Sequence, residues 1–360
     1  MLSDKGRYPT AMKGLQKSMA TELVTSSSMP TPAGQGGGLV LPGVIGDAGE
    51  RAAKRFVEFF TANIRNPNTR KAYARAVSGF FSWCEGKGVA LHQVEPIHVA
   101  AYVEGLCQTR SRPTVKQSLA AIKMLFDWLV VGQVMPSNPA TSVRGPKHVV
   151  KKGITPVLTA KEARELLDSI PVERVIEVDE EGREIRGPNI VGLRDRAIIA
   201  VMVYSFARVG AVLSMRVEDY YVEGRRGWFR LHEKGGKLHC VPAHHNAEAY
   251  LDAYVEAAGI GEDRKAPLFR TIDSHRRLTT RSMDPNDALR MIKRRAKAVG
   301  LPAAICCHTF RATGITAYLE NGGTIENAQQ IAAHESPKTT KLYDRTGDKI
   351  SLDEVERIII

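Results

Sequence analysis

The sequence is poor in cysteine, has no long apolar run and carries fewer acidic than basic side chains. Its five cysteines are an odd number without a Cys-x-x-Cys pair, which favours a reducing compartment over a disulfide-stabilised secreted protein. The central apolar run from Ala197 to Ala207 is shorter than the roughly 20 residues that a membrane-spanning helix needs. The N-terminus lacks the apolar segment of a signal peptide. We therefore expect a cytoplasmic protein without a membrane span.

The shortage of acidic residues indicates the kind of partner. With 51 Lys and Arg against 39 Asp and Glu, the formal net charge is +12 and the pI is about 9.5. This balance favours an anionic partner, either nucleic acid or an acidic membrane surface. A chain of 360 residues also exceeds the size of one typical domain, so we expect two domains with separate cores.

Composition divides the chain into four parts. Residues 1–46 are rich in Ser, Thr, Pro and Gly and show no sustained apolar period, which predicts a disordered tail. Apolar residues at helical spacing over 47–140 predict a small domain of four helices. Residues 141–156 read as a basic linker that contains Pro and Gly. Residues 157–360 are predicted to form the second domain, whose C-terminal tail is apolar on one helical face.

Basic side chains are scattered over the predicted helices of the first domain. They suit phosphate contacts on one side of the domain, although a solvated basic face is an equally good interpretation. The residues are Arg65, Arg70, Lys71, Arg75, Arg110, Arg112, Lys116 and Lys123.

The second domain is predicted to be mainly helical with a small antiparallel sheet, which makes the chain as a whole an α+β protein. It begins at a capping box formed by Thr159 and Glu162. An exposed hairpin is predicted around residues 179–182, where two short alternating runs meet. A second hairpin is predicted where the period-two runs GWFRLHE and LHCVPA flank KGGK, with Lys234 and Lys237 beside a Gly-Gly turn.

The most informative stretch spaces His308, Arg311, His334 and Tyr343 by 3, 23 and 9 residues. An arginine holds a phosphate through a planar fork of donors, histidines donate hydrogen bonds or move protons, and a tyrosine hydroxyl can be a covalent nucleophile. Each residue alone has a plainer interpretation, since an H-x-x-R pair arises by chance, His334 ends a short apolar helix and Tyr343 is one of ten tyrosines. The combination favours phosphate chemistry.

Together with an arginine in SFARVGAVLSMRVEDY and a lysine on the predicted hairpin, these residues resemble the active site of the tyrosine recombinase (phage integrase) family. The segments NTRKAYARAVSGFFSWCEGKG and TVKQSLAAIKMLFDWLVVGQVMPSNPA are similar to the family's helical core-binding domain. The resemblance therefore extends from about Asp47 to the end of the chain. The catalytic positions that it implies are Arg208, Lys234, His308, Arg311, His334 and Tyr343.

The resemblance also implies a reaction. The hydroxyl of Tyr343 would attack a phosphate of double-stranded DNA and form a 3′-phosphotyrosyl bond, which a 5′-hydroxyl of another strand reseals. The two arginines would stabilise the transition-state charge, the histidines would move a proton or donate to the phosphate, and Lys234 would protonate the departing 5′-oxygen. Neither a metal ion nor ATP is required, so no cofactor is expected. The expected assembly is a homotetramer on two DNA sites, associated with the nucleoid.

Two other functions share part of this pattern. A type IB topoisomerase-like or telomere-resolving enzyme would use the same phosphotyrosine chemistry without strand exchange, and a catalytically inactive relative would only bind DNA. The latter is suggested by a departure from the family: most relatives have a Ser-Glu-like pair two and three residues after the first arginine, where this chain has Gly210 and Ala211. What orients Arg208 is therefore an open question. The chain also has Ala333 where the family commonly has a glycine before the second histidine.

Other residues compete for single roles. Lys237 flanks the same turn as Lys234 and is the alternative general acid, although the K-x-x-K pattern favours Lys234. Three tyrosines that lack the required spacing are alternative nucleophiles: Tyr220, Tyr221 and Tyr318. A histidine-rich group around the hairpin is an alternative metal site, although it matches no known zinc spacing. Its members are His232, His239, Cys240, His244 and His245.

Overall fold

The computed structural model of the protein describes residues 40–148, 153–233, 236–275, 277–344 and 356. The chain divides into two compact units, residues 1–148 and 149–360. The described residues are mainly helical, with small antiparallel sheets in the second unit only. The predicted fold class, mainly α with a small antiparallel sheet, is therefore confirmed.

The first unit is helical and has an aromatic core. Its helices are α1 (Gly43–Asp47), α2 (Glu50–Glu58), α3 (Pro67–Gly86), α4 (Pro96–Thr109) and α5 (Arg112–Val131), with a π-helical turn at Phe59–Asn63 and a 3₁₀ turn at Leu91–Gln93. The side chain of Asn66 caps α3, since its oxygen accepts from the backbone N–H groups of Asn68 and Thr69. Phe80 and Phe126 are fully buried where α3 meets α5, with ring centroids 6.0 Å apart.

The predicted disordered tail extends too far towards the C-terminus, because α1 lies inside it. Val44 and Ile45 are buried in the core of the first unit. The backbone N–H of Val44 also donates to Glu85 Oε1 at 3.3 Å. A helix of only five residues in a glycine-rich stretch carries too few apolar positions to show a period. Residues 1–39 of the predicted tail lie outside the described residues.

Two of the basic residues considered for phosphate contacts hold the backbone of the first unit instead. Arg70 donates through Nε and Nη2 to the carbonyl of Ile64, at 3.1 and 2.8 Å. Lys123 Nζ donates to the carbonyl of Thr141 at 3.2 Å. For these two side chains a local structural role is therefore the better interpretation.

The second unit alternates helices with short strands. It contains α6 (Ala160–Asp168), β1 (Glu173–Val178), β2 (Glu184–Pro188), α7 (Ile190–Tyr204), α8 (Val209–Leu213), a 3₁₀ turn at Val217–Asp219, β3 (Tyr220–Glu223), β4 (Arg226–His232), β5 (Leu238–Pro242), α9 (His245–Ala258), β6 (Arg270–Ile272), β7 (Leu278–Ser282), α10 (Pro285–Ala298), α11 (Cys307–Glu320), α12 (Ile325–Ile331) and α13 (Pro337–Lys341). The predicted capping box is present at the start of α6, where Thr159 and Glu162 bond to each other's backbone N–H groups.

Helix α7 is the centre of the second unit and is buried along most of its length. Its fully buried Asp195 accepts from Arg194 Nη2 at 2.9 Å and from Arg295 Nη2 of α10 at 2.8 Å. A buried carboxylate is tolerated only when it is paired and hydrogen-bonded. The pair of Asp195 and Arg295 therefore fixes α10 against α7, and α7 leads directly into the turn that carries Phe206 and Arg208.

Both predicted hairpins are confirmed. Strands β1 and β2 pair antiparallel and are exposed, while β3, β4 and β5 form a three-stranded sheet in that order. Phe229 and Leu231 of β4 are buried against the core and alternate with more exposed neighbours, which fixes the register of the sheet. At the tip between β4 and β5, Gly236 has a φ of +80°, while Lys234 and Gly235 lie outside the described residues. The pair β6 and β7 was not predicted.

No helix among the described residues combines the length and the apolar character that crossing a membrane requires. The amphipathic tail predicted from Leu352 to Ile359 lies outside the described residues, apart from Glu356.

Candidate active site

Helix α11 places His308 and Arg311 one turn apart at its N-terminal end. The helix begins at Cys307, after Cys306 in an extended conformation. Residues three apart lie on the same face of a helix, so both side chains point to the same side of the unit. Arg311 is almost fully buried, whereas His308 keeps access to solvent.

The buried guanidinium of Arg311 joins two turns of the chain. Its Nη1 donates to the carbonyl of Phe206, and its Nη2 donates to the carbonyl of Ala332 at 2.6 Å. Phe206 lies two residues before Arg208, and Ala332 lies two residues before His334. Arg311 therefore positions both catalytic candidates through their backbones. A guanidinium has five N–H groups, so N–H groups remain for a phosphate after these two bonds.

Burial and the neighbouring positive charge of Arg208 lower the pKa of Arg311 to about 10, although Glu233 and Tyr343 act in the opposite direction and raise it. Arg311 therefore stays charged at neutral pH. The two arginines repel each other in the absence of an anion, which favours binding of a phosphate between them.

The two turns that Arg311 joins both contain a residue with positive φ. Phe206 has a φ of +54° and Ala333 has a φ of +48°, values in the left-handed region that side chains other than glycine rarely adopt. The family commonly has glycine at the position of Ala333, and this is a position where the backbone of this chain is left-handed. Ala333 adopts that turn with a methyl group in place.

Tyr343 lies in the smaller of the two clusters of buried apolar side chains in the second unit, and its hydroxyl faces His308. The distance between His308 Nε2 and Tyr343 Oη is 2.6 Å. Tyr343 is 8% exposed and packs with Phe206, Ala332 and other buried residues. Its backbone carbonyl accepts from Thr316 Oγ1 of α11 at 2.9 Å, so α11 holds the main chain of the tyrosine as well as facing its hydroxyl.

His334 lies beyond the end of α12 and stacks on the same tyrosine. Its ring is nearly parallel to that of Tyr343, with an interplanar angle of 8° and centroids 5.8 Å apart. Its Nδ1 lies 2.9 Å from the hydroxyl oxygen of buried Thr340. Burial, then the charges of Arg311, Arg208 and His308, lower the pKa of His334 to about 3. His334 is therefore neutral at physiological pH, and in the tautomer whose Nδ1 accepts from the Thr340 hydroxyl its Nε2–H is a donor.

Arg208 precedes α8, and a carboxylate from the hairpin contacts it. Arg208 Nη1 lies 2.5 Å from Oε2 of Glu233, the residue after β4. The Glu233 side chain is only 3% exposed, whereas that of Arg208 is 40% exposed. Sequence analysis missed Glu233, although it is the acidic neighbour of Lys234. The residues pair across 25 positions of sequence, and no local pattern signals such a contact.

A cavity of about 500 Å³ lies beside three of the catalytic candidates. Its wall includes Arg208, Ala211, Glu233, His308 and Arg311. Two guanidinium groups and a histidine converge on it, which suits an anionic ligand. The structure thus brings together five of the six predicted catalytic residues, while the sixth, Lys234, lies outside the described residues.

The competing residues lie elsewhere or have other partners. His232 Nε2 is 3.1 Å from Asp219 Oδ2, and His239 Nε2 is 3.0 Å from the carbonyl of Ile331. Within the described ranges, no group of three or more His, Cys, Asp or Glu residues is arranged to hold a metal ion. Tyr220 donates to Asp252 Oδ1 at 2.6 Å, away from the cavity. Burial and this carboxylate raise its pKa, which makes it a poorer nucleophile.

The other two alternative tyrosines also have structural environments of their own. Tyr221 lies under the guanidinium of Arg230, with 4.9 Å between the guanidinium carbon and the ring centroid. The ring of Tyr318 packs edge-on against Phe206, with centroids 6.0 Å apart. Lys237 is exposed, and its backbone carbonyl accepts from the N–H of Glu233 at 2.8 Å.

Two family models match the sequence of this chain. The model of the phage integrase family matches residues 157–349, and that of the phage integrase N-terminal SAM-like domain matches residues 53–134. Tyrosine recombinase XerC of Leptospira interrogans is 26% identical over 298 residues, covering 81% of this chain and 87% of the relative.

Solved structures are similar in fold. XerH site-specific recombinase bound to palindromic difH substrate, in a post-cleavage complex, has a TM-score of 0.62 at 16% identity and covers 81% of this chain and 84% of that chain. A lambda integrase tetramer bound to a Holliday junction has a TM-score of 0.58 at 17% identity and covers 83% of this chain and 78% of that chain. Because the first family model alone matches more than half of its residues, the chain belongs to the phage integrase family of tyrosine recombinases.

Proposed function

We propose that Tyr343 is the nucleophile of a site-specific DNA recombinase that cleaves and rejoins strands through a 3′-phosphotyrosyl intermediate. As a tyrosine recombinase, the protein is a DNA-cleaving and rejoining enzyme. The observation that carries the assignment to Tyr343 is the 2.6 Å distance between its hydroxyl and His308 Nε2. It supports a catalytic pair because a weak nucleophile needs an adjacent base.

The cleavage step transfers two protons, one from Tyr343 and one to the departing 5′-oxygen, while one P–O bond forms and another breaks. A neutral His308 accepts the proton of the Tyr343 hydroxyl as the oxygen bonds to phosphorus. The bond between phosphorus and the 5′-oxygen of the departing strand breaks, and Lys234 protonates that oxygen. A 5′-hydroxyl of another strand reverses the step, so the phosphodiester bond energy is conserved and no ATP is consumed.

The positive groups of the cavity stabilise the charge that develops on the phosphate. Arg208 and the free N–H groups of Arg311 bind the non-bridging oxygens, and neutral His334 donates through Nε2. Buried, already oriented donors need no reorganisation during the reaction, which makes them more effective than water. This arrangement supports an active enzyme over a relative that only binds DNA.

We extend the proposal to substrate and assembly. The net charge of +12 favours double-stranded DNA as the partner, and residues 47–140 are assigned to DNA binding. Strand exchange needs two DNA sites with two protomers each, so we propose a homotetramer, as the lambda integrase complex is described. The names of the curated relatives favour recombination over relaxation of supercoils. A DNA substrate of this kind places the enzyme in the cytoplasm with the nucleoid.

A covalent trap tests the assignment and also identifies the DNA site. A pool of nicked duplexes with randomised sequence lets the short cleaved fragment dissociate, so that the adduct accumulates. Wild-type protein is expected to form a protein–DNA band that survives denaturing electrophoresis, and sequencing of that band gives the site. Tyr343→Phe, which removes only the hydroxyl, is expected to form none. An adduct with Tyr343→Phe, or no adduct with wild type, would contradict the proposal.

A further inference from the structure

The family's usual carboxylate after the first arginine is absent from this chain, yet Arg208 contacts a carboxylate. We propose that Glu233 is a positioning residue that replaces the missing acid and holds the Arg208 fork towards the scissile phosphate. The proposal rests on the function proposed above and names a residue that none of the six family positions includes.

The contact is specific for the two side chains. Glu233 Oε2 lies 2.5 Å from Arg208 Nη1, within the range of a charge-assisted hydrogen bond. Among the described residues, the Arg208 guanidinium forms no other ion pair or side-chain hydrogen bond. Arg208 is the residue before α8, and its side chain makes no capping hydrogen bond there, so α8 does not restrain the guanidinium. Glu233 supplies the missing restraint.

Burial shows that Glu233 is not an ordinary surface acid. Its side chain is 3% exposed, and its second oxygen, Oε1, accepts no hydrogen bond from any described residue. A buried carboxylate is costly unless cations stabilise it. Arg208 does so directly, and the charge of Glu233 also raises the pKa of buried Arg311. Glu233 therefore acts on both arginines, on Arg208 by direct contact and on Arg311 through its charge.

The backbone around Glu233 connects it to the turn of the hairpin. Its N–H donates to the carbonyl of Lys237 at 2.8 Å, and its carbonyl accepts from the N–H of Gly236 at 3.2 Å. These two bonds close the loop that contains Lys234. One residue thus fixes the start of the loop with its backbone and the first arginine with its carboxylate.

Ala211 offers a way to test whether the carboxylate itself matters. It lies three residues after Arg208, on the helical turn where relatives carry the acid, and it lines the same cavity as Glu233. A glutamate at this position would therefore face the same cavity as Arg208. Restoring the acid there should compensate for its loss from the hairpin.

The experiment measures single-turnover cleavage of the nicked duplex that wild-type protein selects from the random pool. Glu233→Gln keeps the shape and removes the charge, and it is expected to lower the rate constant about 10- to 100-fold, less than the loss typical for deleting a transition-state donor. Adding Ala211→Glu to Glu233→Ala is expected to restore most of the rate. Glu173→Gln, on the exposed strand β1, is the matched control and should cleave at the wild-type rate.

The readouts separate positioning from folding. A folding defect lowers the fraction of protein that cleaves, whereas misplacement of Arg208 lowers the rate constant of the competent fraction. Glu233→Gln cleaving at the wild-type rate, or Ala211→Glu failing to restore the rate in a folded protein, overturns the role of Glu233. Absence of an adduct with wild type would instead overturn the proposed function, so the two failures are distinguishable.

Discussion

The Nε2 atom of His308 lies 2.6 Å from Oη of Tyr343, and the histidine is held in its neutral form. Although part of His308 is exposed, partial burial of its ring and the charges of Arg311 and Arg208 lower its pKa. A neutral imidazole can accept the hydroxyl proton, whereas an imidazolium cannot. The two arginines that we propose to bind the phosphate therefore also keep the proposed base neutral.

This relationship predicts the acid side of the pH profile. In wild type, cleavage should remain fast as the pH falls through 6.5, the usual pKa of a histidine, and decline only at the lower pKa of His308. His308→Gln should lower single-turnover cleavage roughly 100-fold and remove this acid limb. Cleavage of the selected nicked duplex from pH 5 to pH 8 measures both. If His308→Gln loses activity at low pH in the same way as wild type, a group other than His308 causes the acid limb.

A second prediction concerns stability and His334. Its pKa is about 3 in the folded protein, against about 6.5 in the unfolded chain, so the unfolded state binds more protons between these pH values. Stability should therefore fall as the pH drops below 6.5, with His334 alone contributing a loss of about 2 kcal/mol by pH 5. Urea unfolding at pH 7.5 and pH 5 measures this change.

The variant His334→Gln isolates that contribution. Glutamine does not titrate, so the difference in unfolding free energy between pH 7.5 and pH 5 should shrink by about 2 kcal/mol, whatever the variant's stability at pH 7.5. His92→Gln, at an exposed histidine of the first unit, is the control for replacing a histidine outside the site. A wild-type pH dependence in His334→Gln would show that the ring is not the titrating group.

Local sequence patterns predict elements of the second unit, but they do not predict its long-range contacts. The capping box of Thr159 and Glu162 and the hairpin of β4 and β5 are encoded within a few residues, so they could be read directly. Strands β6 and β7, RTI and LTTRS, have little apolar alternation and were missed.

The same distinction applies to the site. Five of the six predicted residues lie close together in the structure. The family resemblance identified them, which their spacing in the sequence alone could not do. The pair of Arg208 and Glu233 was not predictable, since it depends on how the hairpin packs near α8. Alanine by itself gives no signal for the positive φ of Ala333, and the only indication of it is the glycine that the family commonly has there.

A third prediction follows from that conformation. Ala333→Gly removes a methyl group from a residue with a φ of +48°, which relieves about 1 kcal/mol of strain and is offset in part by the greater freedom of glycine in the unfolded chain. Stability should therefore stay equal or rise slightly. Ala332→Gly is the matched control: Ala332 has a φ of −78° and is buried, so glycine should cost about 1 kcal/mol there. Thermal unfolding of both variants measures whether the two changes in stability have opposite signs.

The last prediction concerns Gly153, which contacts the main chain beside Tyr343, the proposed nucleophile. Its N–H donates to the carbonyl of Leu342, the residue before Tyr343, at 3.1 Å. A Cβ atom at Gly153 would lie 2.5 Å from that carbonyl oxygen, so an alanine must push the two segments apart. Because a displacement of about 1 Å at a reacting group can cost roughly 100-fold in rate, Gly153→Ala should slow cleavage about 10-fold or more.

The control for this variant is Gly261→Ala in the same unit, where a Cβ would meet only Val255 Cγ1 at an ordinary 3.7 Å. Both variants are compared in single-turnover cleavage of the selected nicked duplex and in thermal unfolding. Gly153→Ala should unfold near the wild-type temperature, because the segments can separate locally, while its rate constant falls. Equal rate constants for the two variants would mean that the contact with Leu342 does not position Tyr343.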